Sequence, residues 1–241
     1  MTVLDTPVRR GPVDLTAGWF LFGQRRVARW FWPLAVVIAV GWITVLALVG
    51  GRTGHVTSSV VGYMWQAAMW VPFSVFVGLG LVYLPVHVAA GLTRRSLSRG
   101  ALVAAVGTAA LYGAVFAALL LAERAVYDMA GWTWQFAELP SDFATIAAFL
   151  TAMAVMFLLA YVAGLVVALV YLRGGGWWGT LTLPVTVGPL VLLSGSIGYG
   201  GARFGDVAGL LGIGALGLVV AAAMALAFHQ LVLGARVPPK R

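Results

Sequence analysis

The chain has 241 residues, of which 62% are apolar and only 9% charged, with a net charge of +8 and no cysteine. A soluble domain carries roughly a quarter charged residues, so this composition excludes a water-soluble globular protein and points to lipid as the solvent. The lack of cysteine excludes a disulfide, a thiolate metal site and a cysteine nucleophile. The basic residues cluster at the ends of apolar runs rather than on a soluble face, which argues against nucleic-acid binding.

Residues 1–29 form a basic lead. Within it, Trp19, Phe20, Val27, Trp30 and Phe31 recur at spacings of three and four, with Arg25, Arg26, Arg29 and Phe22 toward the other side. That pattern predicts an amphipathic helix in the inner interface plane, its arginines facing headgroups or a partner. It serves either as a plain anchor or as a docking surface.

A helix crossing a ~30 Å hydrocarbon core needs about 20 apolar residues. Six stretches qualify within residues 30–233: Trp30 to Val49, Val60 to Ala90, Ala101 to Leu121, Thr145 to Leu172, Leu181 to Ile197 and Val207 to Leu233. The first starts after a long basic lead without a small-x-small cleavage pattern, so it reads as a true span and not as a cleaved signal. The fifth is short and interrupted by Pro184, Gly188 and Pro189. The expected fold is an all-α integral membrane protein of six transmembrane helices, with residues 234–241 as a tail.

Orientation follows from the loop arginines. One side holds Arg9, Arg10, Arg25, Arg26, Arg29, Arg94, Arg95, Arg99, Arg173, Arg236, Lys240 and Arg241, and the other only Arg52, Arg124 and Arg203. The first side, with both termini, is therefore expected in the cytoplasm. Lys240 is the only lysine among abundant Ala, Gly and Val, which suggests a GC-rich bacterial genome.

The largest outer loop, roughly Ala122 to Ala144, carries Trp132, Trp134 and Phe136, which suit the lipid–water interface. A short interfacial helix and a Pro140 turn are expected there, with Ser141 capping the next helix. At its start, Glu123, Arg124 and Asp128 form a possible outer gate; Arg124 and Asp128 are four apart and able to pair, which is also the plain structural reading. His87 and His229 fall about a turn from the inner interface, where a histidine is cheap, so metal or haem is not expected. Gly113 with Ala117, and Gly205 with Gly209, give spacing for close helix packing, with Gly212 and Gly217 adding small surface. Ser196-Ile-Gly-Tyr-Gly200 is similar to a carbonyl-lined potassium filter, but no pore helix precedes it, and a glycine-rich outer turn is the better reading.

There is no GxxxxGK[ST] phosphate loop, no GxSxG and no HExxH. Polar residues within the spans are few, with Gln66, Ser74 and Thr151 the candidates and no base beside them. An intramembrane enzyme and an ion-coupled carrier are both disfavoured.

Between the second and third spans stands Gly91-Leu-Thr-Arg-Arg-Ser-Leu-Ser-Arg-Gly100. This loop resembles the Gly-x-Thr/Ser-Arg-Arg/Lys segment of bacterial ABC-2-type transporter permeases, and Ala122 to Trp132 resembles the outer end of the third span in actinobacterial members. The layout of a basic amphipathic helix followed by six spans is similar too. The region Gly198 to Asp206 is short for that family's re-entrant helices, so such a pair would borrow from the fifth span.

The resemblance implies a non-catalytic permease subunit in the bacterial cell membrane. It would pair with an identical or related second permease subunit and dock a separate ATP-binding subunit that holds ATP and Mg. Gly91, Thr93, Arg94, Arg95 and Ser96 would form the ATPase-coupling contact, flanked by Arg25, Arg26 and Arg29. An apolar or amphipathic substrate would be moved. Other classes remain open: a non-transporting scaffold or immunity-type protein, or a channel or ion-coupled carrier.

Overall fold

The computed structural model describes residues 11–53, 59–132, 142–198 and 206–234. Its elements are all helices: α1 Pro12–Thr53, α2 Val60–Ala89, α3 Arg94–Ala130, α4 Phe143–Leu181, α5 Leu183–Thr186, α6 Gly188–Gly198 and α7 Val207–Leu233. A helix satisfies its own backbone hydrogen bonds, which is what a chain in lipid requires. Five of them, α1, α2, α3, α4 and α7, contain stretches long and apolar enough to cross a membrane. By length and composition this is a multi-pass membrane protein. The end bearing Arg94, Arg95, Arg99 and Arg173 is the inner end below; the end bearing Glu123 is the outer.

α4 is the central helix. Every residue from Tyr161 to Leu169 is buried, as expected of a helix that is apolar all round. Its most extensive packing is with α7 and α2. Small residues permit this. Gly164 lies against the Phe73 carbonyl and Gly80 against Ala168; on α7, Gly214 meets Ala152 and Gly217 meets Val155 and Met156. Gly113 packs on Ala154, whereas Gly212 faces open space.

An aromatic chain runs through the core. Trp32 contacts Tyr112, Tyr112 contacts Tyr161, and Tyr161 stacks on Phe76, which stacks on Phe20. The Tyr161 hydroxyl donates to the Ala68 carbonyl at 2.9 Å. Ala68 lies four residues before Pro72, which stands inside α2. Proline has no N–H to return to that carbonyl, so the tyrosine supplies the missing donor.

Two features differ from expectation. First, the amphipathic lead and the first span are one helix, α1. It stands upright beside α2 and antiparallel to it: Thr16 lies at His87, Phe20 at Tyr83, Gly23 at Leu79, Gln24 at Pro72 and Trp42 beside Val60. The face that meets the bundle carries Thr16, Ala17, Phe20 and Gln24, while Trp30, placed on the buried side by periodicity, is 82% exposed. No residue between Phe22 and Trp30 stops a helix, so the charge pattern does not end the element.

Second, the fifth stretch is not a continuous helix. α4 breaks at Gly175, with φ 70° and ψ −174°. The chain then turns back: the Tyr171 hydroxyl bonds Thr180 Oγ1 at 3.1 Å, and Leu183 and Val187 share a groove with Val167 and Tyr171. About 23 residues of broken helix follow from Gly176 to Gly198, a path of roughly 34 Å at 1.5 Å per residue. Pro184 and Pro189 open α5 and α6 and account for the breaks. α4 and α7 run parallel, because Ala152 meets Gly214, Met156 meets Gly217, and Arg173 meets Leu231 and Gly234.

The cap of α4 is Asp142, whose carboxylate accepts from the Thr145 amide at 2.9 Å. Expectations on Arg9 and Arg10, on Trp134, Phe136, Pro140 and Ser141, on residues 199–205 with Arg203 and Gly205, and on the tail 235–241 fall outside the described residues.

Candidate functional site: the inner-end hub

The turn joining α2 to α3 is built by two caps. Gly91 takes φ +73°. The Gly91 amide bonds the Val88 carbonyl at 3.0 Å and the Leu92 amide bonds the His87 carbonyl at 3.1 Å, which closes α2 with the pattern of a glycine C-cap. Thr93 then opens α3 as its N-cap, accepting from the Ser96 amide at 3.2 Å. Two residues of the expected coupling motif thus have a local structural reason for their type.

The first turns of α3 tie four helices together. His87, fully buried on α2, places Nε2 at 2.9 Å from Ser96 Oγ and 3.1 Å from the Thr93 carbonyl. A carbonyl only accepts, so Nε2 carries the proton. Nδ1 faces the Thr16 hydroxyl of α1 at 3.5 Å, and Trp19 sets its ring edge-on against the imidazole. Toward α7, Arg94 donates to the Leu233 carbonyl at 3.1 Å, and Ser98 meets His229 Nδ1 at 2.8 Å. Arg173 of α4 donates to the Gly234 carbonyl at 3.1 Å. Two guanidiniums therefore sit on the last carbonyls of α7, which have no partner within the helix and lie at its negative end. Gly100 lets α1 approach closely: a Cβ there would lie 2.8 Å from the Val13 carbonyl.

Of the expected coupling residues, Thr93, Arg94 and Ser96 are engaged within the subunit, whereas Gly91 and Arg95 are exposed, as is Arg99. Arg25, Arg26 and Arg29 are exposed but do not flank this turn. They lie about 14–20 Å farther along α1 than Thr16, the residue that touches the hub. Sequence reasoning missed the roles of His87, Ser98, His229 and Arg173. The signal for His87 was its place one turn before a glycine C-cap, within reach of the next helix's N-cap.

At the outer end, Glu123 of α3 is buried and accepts from the Val60 amide at 2.6 Å, the Val61 amide at 3.1 Å and the Ser59 hydroxyl. The carboxylate caps α2 from another helix. Arg124 is half-buried beside it and Asp128 is exposed. Gln66, Ser74 and Thr151 bond within their own helices, to Trp70 Nε1, the Trp70 carbonyl and the Ala147 carbonyl. Between α1 and α2 an apolar cleft of about 610 Å³ opens, lined by Phe31, Leu34, Ile38 and Trp42 with Val60 and Met64.

No family model, no curated protein and no solved structure matches this chain.

Proposed function

We propose that the chain is the membrane-spanning permease subunit of an ATP-driven exporter in a bacterial cell membrane. It crosses six times, the broken leg Gly176 to Gly198 being the fifth crossing, and both ends lie in the cytoplasm. The parallel run of α4 and α7 supports this, because the chain between them must return to the other side of the bundle. The arginine excess at the inner end gives the direction.

One observation carries the reading: the α2–α3 turn is fixed to α1, α2 and α7 while Arg95 and Arg99 remain exposed on its surface. A separate ATP-binding subunit, with ATP and Mg, docks on these arginines. Its closure pushes the turn, and the hub passes that displacement to the helices as a unit. A second permease subunit, identical or related, completes the pathway. The α1–α2 cleft, lined by aliphatic and aromatic side chains, suits an apolar or amphipathic substrate.

The test is co-purification with any P-loop ATPase subunit found encoded beside this chain, scored by ATP hydrolysis. Arg95→Glu with Arg99→Glu abolishes docking and stimulation while the purified protein melts as wild type does. Arg94→Glu is unsuitable, since Arg94 caps α7. Unchanged docking by the double variant removes the coupling assignment. Failure of the wild type to bind any ATPase leaves a non-transporting scaffold.

A further inference from the structure

Arg25, Arg26 and Arg29 are exposed, and they leave α1 on the side away from the bundle. Among the described residues, the buried ones of this helix are Thr16, Ala17, Phe20, Gln24 and Ala35. At 3.6 residues per turn Arg25, Arg26 and Arg29 fall roughly 100°, 160° and 140° around the helix from the mean of Ala17, Phe20, Gln24 and Ala35. Val36, Val40 and Ile43 continue this outward face toward the outer end, and all are exposed.

Their depth follows from the contacts of α1. Thr16 touches His87 at the inner hub, and Trp42 shares a cleft with Val60, whose amide bonds Glu123 at the outer end. Thr16 to Trp42 spans about 39 Å of helix, against a hydrocarbon core of ~30 Å. A core reaching inward from the level of Glu123 ends near residue 22 of α1. The α-carbons of Arg25, Arg26 and Arg29 then lie about 4–10 Å inside that boundary, and their side chains, which lean toward the helix N-terminus, carry the guanidiniums back toward the inner headgroups, while Arg94, Arg95 and Arg173 project beyond.

Charges at that depth need a counter-charge. The described acidic residues do not supply one: Asp14 bonds the Gly11 amide at the start of its own helix, and Glu123, Asp128, Asp142 and Asp206 belong to the outer end. A second copy docked by the same face would set arginines against arginines, which repels. A phospholipid phosphate fits, because guanidinium binds it in a bidentate fashion and the acyl chains would lie along Val36, Val40 and Ile43.

We propose that the Arg25–Arg26–Arg29 face of α1 binds anionic phospholipid headgroups of the inner leaflet. This goes beyond the exporter reading and stands or falls separately from it.

The test is native mass spectrometry of the detergent-purified protein titrated with phosphatidylglycerol or phosphatidylcholine. Wild type retains phosphatidylglycerol selectively. Arg25→Gln with Arg26→Gln and Arg29→Gln weakens it on the order of 100-fold, from roughly a fivefold step per arginine. Arg95→Gln with Arg99→Gln leaves it unchanged. If the triple variant does not fold, Arg29→Gln alone shows a proportionate loss. Equal binding of the two lipids by wild type, or unchanged selectivity in the variants on α1, overturns the proposal. So does a triple variant that keeps its lipid but loses the ATPase subunit, which would make this face a protein-docking surface.

Discussion

Ser59 and Glu123 lie 64 residues apart and meet at the outer end, where the serine hydroxyl donates to the carboxylate. The same carboxylate takes the Val60 and Val61 amides, so one side chain of α3 satisfies three donors at the start of α2. Its charge also faces the positive end of that helix. Glu123→Ala strands buried donors and costs about 2–3 kcal/mol; Glu123→Gln, which keeps an acceptor, costs about half as much. The thermal midpoint in detergent reads this through the intrinsic fluorescence of the 10 tryptophans. An unshifted Glu123→Ala midpoint would show that the cap contributes nothing.

Two hydroxyls in the core predict opposite signs. Tyr161→Phe leaves the Ala68 carbonyl without its donor and destabilises by about 1–3 kcal/mol. Thr108 Oγ1 is buried with no hydrogen-bond partner among the described residues. Thr108→Val removes that unpaired group at nearly constant volume and stabilises by about 1 kcal/mol. The same melting experiment compares them, and a destabilised Thr108→Val would point to a hidden partner.

Two glycines differ in what a methyl group would strike. At Gly164 a Cβ lies 2.7 Å from the Phe73 carbonyl oxygen, a backbone atom of α2 that cannot step aside. Gly164→Ala forces α2 and α4 apart and costs about 1–3 kcal/mol. At Gly217 the nearest atom is the terminal methyl of Met156, which rotates away. Gly217→Ala stays within about 1 kcal/mol of wild type, helped by the better helix propensity of alanine. Equal losses at both would mean that the α2–α4 contact is no tighter than α4–α7.

Asp142 makes the start of α4 sensitive to acid. Hydrogen bonds from Thr145 hold its carboxyl below the ordinary carboxylate range. A depressed folded value means that the cap is fully present above the ordinary range and is lost as pH falls through the lower folded value. Amide exchange of the first turn of α4, followed in nanodiscs, should accelerate at strongly acidic pH. Asp142→Asn keeps the cap and removes that pH dependence; an Asn variant with the wild-type profile would assign the effect to another group.

Hydropathy alone marked five of the six expected stretches as continuous helix, within α1, α2, α3, α4 and α7 to within a residue, and Val207 to Leu233 matches α7 at both ends. Lipid solvent forces long apolar runs into helices, so that part of the fold is local and legible in sequence. The loop arginines likewise carry a directional signal in sequence.

Contacts between distant residues are not legible in this way. The sequence showed an interrupted fifth stretch, but only the packing of α7 parallel to α4 shows that the chain returns along it from Gly175. Glu123 read as part of an outer gate and became a cap because α2 begins beside it. The run Gly91 to Ser96 read as a coupling motif; the structure assigns Gly91 and Thr93 to helix caps and Arg94 to α7, leaving Arg95 and Arg99 facing out. The physical reason is the same in each case. Period and charge set what a segment can be, whereas hydrogen-bond partners are set by which helix ends the close-packed bundle brings together.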